Sequence, residues 1–185
     1  MIPMMLDADN TALAVIDVQG KLAGLVRDHE KVLSHISDFI KASRSFNLPV
    51  LWSEQAPDKI GETAAPIKEL LLPLGQPVHK RSFSCWGSAE YVDRLRGTNR
   101  RQILVMGIET HVCVYQTARD LHRHGYQVHL MADAVSSRHE FDHLTAVARM
   151  RDEGITITSC EMAMCELLGG ADNPKFKEVM AHIKR

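Results

Sequence analysis

Long apolar runs are missing from this chain: nowhere do about 18 apolar residues follow one another, so no segment reads as a membrane-spanning helix. The opening stretch MIPMMLDADN has neither the basic region nor the extended apolar core of a secretory leader, and a cytoplasmic location is expected. Cysteine is scarce. Cys85, Cys113, Cys160 and Cys165 are too few and too scattered for a disulfide scaffold, and without a CxxC pair they do not suggest structural zinc, so free thiols are expected. Neither sign of charge is in excess: 22 Lys and Arg stand against 23 Asp and Glu, a formal net charge of -1. Such a balance offers no basic stripe or long-range field to hold a nucleic-acid backbone or an anionic membrane, which leaves small molecules as the expected partners. Internal repeats and low-complexity tracts are absent too, which removes solenoids and arrays from consideration.

What is present is enough apolar material for one core. A chain of 185 residues that is 45% hydrophobic and 24% charged fits a single domain over 1–185. Apolar runs suited to buried strands occur at Thr11 to Asp17, Val50 to Ser53, Gln76 to Arg81, Gln102 to Met106, Gln127 to Ala134 and Ile155 to Thr158. Helical spacing appears between them. Asp28 to Phe46 carries Val32, Leu33, Ile36, Phe39 and Ile40 on one stripe, and further helices are predicted at Ala89 to Leu95, Thr110 to Gly125, Glu161 to Leu168 and after Asn173-Pro174. Ser137 and Glu140 read as a capping box for one more helix, with Phe141, Leu144, Val147 or Ala148, and Met150 as its buried stripe. Cys160 and Cys165 read as core residues. Strands alternating with helices imply an α/β fold, a three-layer α/β/α sandwich whose six-stranded, mostly parallel sheet is expected in the order 3-2-1-4-5-6.

The stretch around which the rest is organised is QILVMGIETHVCVY, Gln102 to Tyr115, where an apolar strand stops at Gly107 and a helix opens near Thr110. With Thr110 as N-cap, Cys113 falls at the third helical position, where unpaired N–H groups and the helix dipole favour a thiolate. A small buried apolar residue is the other reading of the same cysteine. In parallel sheets ligands bind beyond the carboxyl ends of the strands, and Asp17, Lys80 and Cys113 each lie at or just past such an end. In the expected strand order Lys80 starts two strands away from Asp17, about 10 Å at roughly 4.8 Å per strand, which its side chain can largely span. An acid, an ammonium and a thiol can then surround one small cavity, the minimum equipment of a cysteine hydrolase.

The runs AVIDVQ, HKRSFSCWG, GIETHVCV and ADAVSSR together resemble the isochorismatase-like hydrolases over nearly the whole chain, in particular the short isochorismatase-domain or nicotinamidase-related branch of cysteine hydrolases. The resemblance implies a catalytic Asp-Lys-Cys triad at Asp17, Lys80 and Cys113. It also implies a cis peptide at Ile108-Glu109, with the backbone N–H groups of Glu109 and Cys113 as an oxyanion hole. The activity so implied is hydrolysis of an amide, ureide or carbamoyl C–N bond through a Cys113 thioester. Gln19 and Trp86 lie near the motifs and are candidate pocket residues. No cofactor is expected, and the sheet margins together with the resemblance suggest a homo-oligomer built from dimers.

Two departures sharpen the expectation. Metal-dependent nicotinamidases of this superfamily hold an ion through an Asp-x-His pair after the second strand, whereas here that region reads WSEQAPDKIG, with Glu54 and Asp58 and no histidine between His35 and His79. No metal site is therefore expected. Isochorismatases that cleave a vinyl ether lack the nucleophilic cysteine that Cys113 would supply. A metal-bearing nicotinamidase-like amidase, a non-enzymatic scaffold and a thiol redox protein are the alternatives on the same fold.

Overall fold

A computed structural model describes residues 5–183; the first four residues of the stretch read for a leader lie outside it. Six parallel strands, β1 (Thr11–Ile16), β2 (Val50–Gln55), β3 (Val78–Lys80), β4 (Gln102–Ile108), β5 (Gln127–Ser136) and β6 (Thr156–Thr158), form one sheet in the order β3-β2-β1-β4-β5-β6. The period-2 alternation of the central strands builds both cores. Leu13 and Val15 of β1 and Leu104, Met106 and Ile108 of β4 face one layer, while Ala12, Ala14, Ile16, Ile103 and Val105 face the other.

The first layer holds α1 (His29–Ser45), and the loop after β2 contributes α2 (Pro57–Ile60) and α3 (Ala65–Leu71). In α1 the residues Val32, Ile36, Phe39 and Ile40 are buried at helical spacing, and the chain leaves the helix through Asn47, which takes φ 53° ahead of Pro49. The second layer carries α4 (Ala89–Gly97), α5 (Tyr115–Arg123) and α6 (Glu140–Asp152), and α7 (Cys160–Leu168) and α8 (Phe176–Met180) complete the chain. Among the described residues no helix is long and apolar enough to cross a membrane.

Several local expectations are corrected. Ser137 and Glu140 do not form a capping box: α6 starts from His139 without a side-chain cap, because the Ser137 hydroxyl is held by His111 at 2.9 Å and Glu140 reaches Arg27. The buried stripe of α6 is narrower than its apolar residues suggest. Ala146 and Met150 are buried, whereas Phe141 is 79% and Leu144 58% exposed. Cys165 is exposed and only Cys160 of that pair lies in the core, since they are five apart on α7 and fall on different faces.

Candidate active site

The carboxyl ends of β1, β2 and β4 are level: Ile16 pairs with Ser53 on one side and with Gly107 on the other, while Gln55 pairs with Lys80 across to β3. This register delivers Asp17, one residue beyond Ile16, into a ring of polar groups. Asp17 leaves the strand at φ 49° and is 3% exposed. Its Oδ2 accepts a hydrogen bond from Lys80 Nζ at 2.6 Å and its Oδ1 accepts one from Ser53 Oγ at 2.7 Å. Lys80 is buried too, and its ammonium also donates to Gln55 Oε1 at 2.8 Å, Phe83 O at 2.9 Å and Ser82 O at 3.2 Å. A buried ammonium is tolerable only when carboxylate and carbonyl oxygens replace its water shell, as they do here.

Gly107, the last residue but one of β4, takes φ 125°, and a Cβ there would meet Ile16 O at 2.0 Å, so only glycine lets the chain pass this close to β1. The Ile108-Glu109 peptide that follows is cis. Thr110–Val114 then winds as a π-helical turn into α5. Thr110 is not its N-cap; the Thr110 hydroxyl is hydrogen-bonded to His143 Nδ1 at 3.0 Å and the turn begins from Glu109. Cys113, 7% exposed, sits in this turn. Burial pushes its thiol pKa well up, the facing Asp17 carboxylate adds to the rise by charge and by hydrogen bonding, and Lys80 offsets only part of it. Burial and the facing carboxylate thus favour the thiol form of Cys113, against the thiolate expected from a helix N-terminus. Desolvation and a like charge outweigh the dipole of one turn.

Beneath Asp17 the network continues through Ser53, which motif reasoning passed over, to Cys85 of the HKRSFSCWG stretch. Ser53 Oγ accepts from the Cys85 thiol at 3.4 Å, and Cys85 N donates to Thr117 Oγ1 at 2.9 Å. Burial raises the Cys85 thiol to about 11. A polar Ser53 following the apolar Val50, Leu51 and Trp52 of β2, beside the strand that leads into Asp17, was the available signal.

The other site candidates take distinct places. Glu109 is buried and its Oε1 accepts from both the backbone N–H and the Nε of Arg138 at 3.0 Å, so its side chain ties the cis turn to the loop after β5. Gln19 is fully buried and bridges strand to loop, its amide donating to Gly61 O at 2.6 Å and Gln55 O at 3.0 Å while it accepts from Gln55 N. Trp86 is not brought to Asp17; its ring stacks on His124 at 3.9 Å and meets Tyr126 edge-on. Glu54 accepts from the backbone and hydroxyl of Thr63 and lies 3.3 Å from His79, and Asp58 pairs with Arg81 at 2.9 Å. Among the described residues no three His, Cys, Asp or Glu side chains converge to hold a metal ion.

Comparison with known proteins supplies the context. The isochorismatase domain model matches residues 11–162. The secreted isochorismatase effector Isc1 of Phytophthora sojae (strain P6497) is 36% identical over 180 residues, covering 95% of this chain and 85% of its own length. A structure described as MAR1 ribonuclease from Caenorhabditis elegans superposes with a TM-score of 0.90 at 34% identity, over 98% of this chain and 93% of that one. The Escherichia coli YcaC gene product, described as an octameric hydrolase of unknown specificity, shares the fold at a TM-score of 0.88 and 22% identity, over 99% of this chain and 98% of that one.

Proposed function

The chain belongs to the isochorismatase family, and on that premise we propose that it is a cysteine hydrolase cleaving the C–N bond of a small amide, ureide or carbamoyl compound, with Asp17, Lys80 and Cys113 as its catalytic groups. The observation that carries this reading is the meeting of a buried carboxylate, ammonium and thiol at the carboxyl ends of β1, β3 and β4. Asp17 takes the Cys113 proton as sulfur attacks the carbonyl carbon, and the backbone N–H groups of Glu109 and Cys113 receive the oxyanion. The C–N bond then breaks as Asp17 returns that proton to nitrogen, leaving a thioester. Water, deprotonated by Asp17, attacks the thioester, and the sulfur leaves and is reprotonated. Lys80 holds the carboxylate in place through both half-reactions.

This chemistry needs no metal ion, because a sulfur nucleophile and two backbone donors already supply attack and oxyanion stabilisation. Glu54 and Asp58, the carboxylates after β2, are engaged by Thr63, His79 and Arg81. Exposed Phe141 and Leu144 on α6 give apolar surface for a second copy, in keeping with an octameric relative. The four free cysteines fit a reducing compartment, although the Phytophthora relative is described as a secreted effector. The test is a screen of small amides, ureides and carbamoyl compounds against the native protein, the EDTA-treated protein and Cys113→Ala. Turnover that survives chelation and is lost in Cys113→Ala is expected; turnover retained by Cys113→Ala refutes the proposal, and loss on chelation restored by added metal refutes its metal-independent form.

A further inference from the structure

At the opposite end of the sheet the fold gathers arginines that look unremarkable in a charge-balanced sequence. Arg100 and Arg101 directly precede β4, Tyr126 directly precedes β5, and Arg96 lies in the last turn of α4. Together with Trp86 and His124 they line a concavity of about 460 Å³. None of its lining residues is acidic. Among the described residues no carboxylate pairs with the side chain of Arg96, Arg100 or Arg101; Arg44, Arg123 and Arg151 are likewise without one, but they do not line this concavity, and Arg27, Arg81, Arg94, Arg119, Arg138 and Arg149 are paired.

Two of the three guanidinium groups lie over aromatic rings. Arg96 Cζ lies 5.9 Å from the Trp86 ring centroid and Arg101 Cζ 5.9 Å from that of Tyr126. His124 Nδ1 donates to Asp120 O at 2.7 Å, which fixes the ring that stacks on Trp86 and leaves its Nε2 unspent. The helix dipole accounts for Arg94 and Arg96 in the last turn of α4, but not for Arg100 and Arg101, which lie beyond it. Three uncompensated guanidinium forks around one aromatic-walled hollow match a multiply charged oxyanion, and their planar donor pairs suit phosphate oxygens above all.

We propose that this concavity, remote from Asp17 and Cys113, is a second site that binds a small phosphate-bearing anion. It stands independently of the hydrolase reading. Calorimetric titration of the whole protein with inorganic pyrophosphate, adenosine monophosphate, adenosine and a single-stranded oligoadenylate tests it, beside an Arg96→Gln/Arg101→Gln variant. Both exposed side chains can change without touching the core, and an unaltered thermal midpoint and Cys113 alkylation rate verify that the variant is folded. Pyrophosphate or the monophosphate should bind, adenosine should not, and affinity should fall about tenfold or more in the variant and also with rising salt. Tighter binding of the monophosphate than of pyrophosphate identifies a nucleotide as the source of the phosphate; the reverse identifies a free polyphosphate. Binding of neither small anion, unchanged affinity in the variant, or retention of the oligoadenylate alone would overturn the assignment.

Discussion

Replacing Lys80 by Met removes the ammonium and leaves the Asp17 carboxylate buried with only the Ser53 hydroxyl and the facing Cys113 thiol as neighbouring donors. Breaking a buried ion pair from one side costs about 3–5 kcal/mol, and the surviving Ser53 bond argues for about 4. Asp17→Asn is milder. Lys80 then keeps Gln55 Oε1, Ser82 O and Phe83 O as acceptors, so the loss is nearer the cost of one charged hydrogen bond, about 2 kcal/mol. If the two groups act mainly on each other, the double variant should lose about 4 kcal/mol rather than about 6, a coupling of about 2 kcal/mol. A domain holding about 5–15 kcal/mol survives each change well enough for urea denaturation to measure all four proteins with a common m-value. Losses that add within about 0.5 kcal/mol, or an Asp17→Asn variant less stable than Lys80→Met, would refute the view of Asp17 and Lys80 as a mutually dependent buried pair.

Gly107→Ala should destabilise by more than about 4 kcal/mol, because the new methyl would sit 2.0 Å from Ile16 O in a backbone at φ 125°; a urea midpoint close to that of the native protein would contradict this. Near neutral pH iodoacetamide should label exposed Cys165 first and Cys113 slowly, with the Cys113 rate climbing into the alkaline range, as read by mass spectrometry of each peptide. Alkali should also unfold the protein. Unfolded thiols ionise from about 8.5, the Cys85 thiol waits until about 11, and Cys113 and Cys160 are likewise raised by burial, so the folded state binds more protons and stability falls as pH rises through this window. Cys85 alone, raised from 9.0 to about 11, contributes a loss of about 2 kcal/mol by pH 11, at about 1.4 kcal/mol per pH unit. Cys85→Ala should therefore show a shallower alkaline decline in thermal midpoint than the native protein.

The sheet order and the full burial of β1 and β4 were legible in the sequence because their signals are local and repeated: apolar runs alternating with helical spacing, and runs that stop at Asp17, Lys80 and Gly107. The α6 stripe was misread for the opposite reason. Phe141 and Leu144 have the right spacing for burial, and periodicity says nothing about whether the neighbouring layer extends far enough to cover them. The upward shift of the Cys113 thiol was illegible because it depends on burial and on a carboxylate 96 positions away, and so was the service of Ser53 and Gln55 to that carboxylate and its lysine. Position in a helix is written in sequence, whereas the sum of desolvation and facing charge exists only after folding.

Lys80 belongs to a three-residue strand at the sheet's edge, held on one side only, through β2 and the bond from Ala56 N to Lys80 O. Edge elements open without the rest of the domain unfolding. Each such opening withdraws the ammonium from Asp17 while β1 and β4 stay paired, so the site loses its electrostatic anchor at a free energy below that of global unfolding. Amide hydrogen exchange at β3 is then a direct gauge of how often the site is whole.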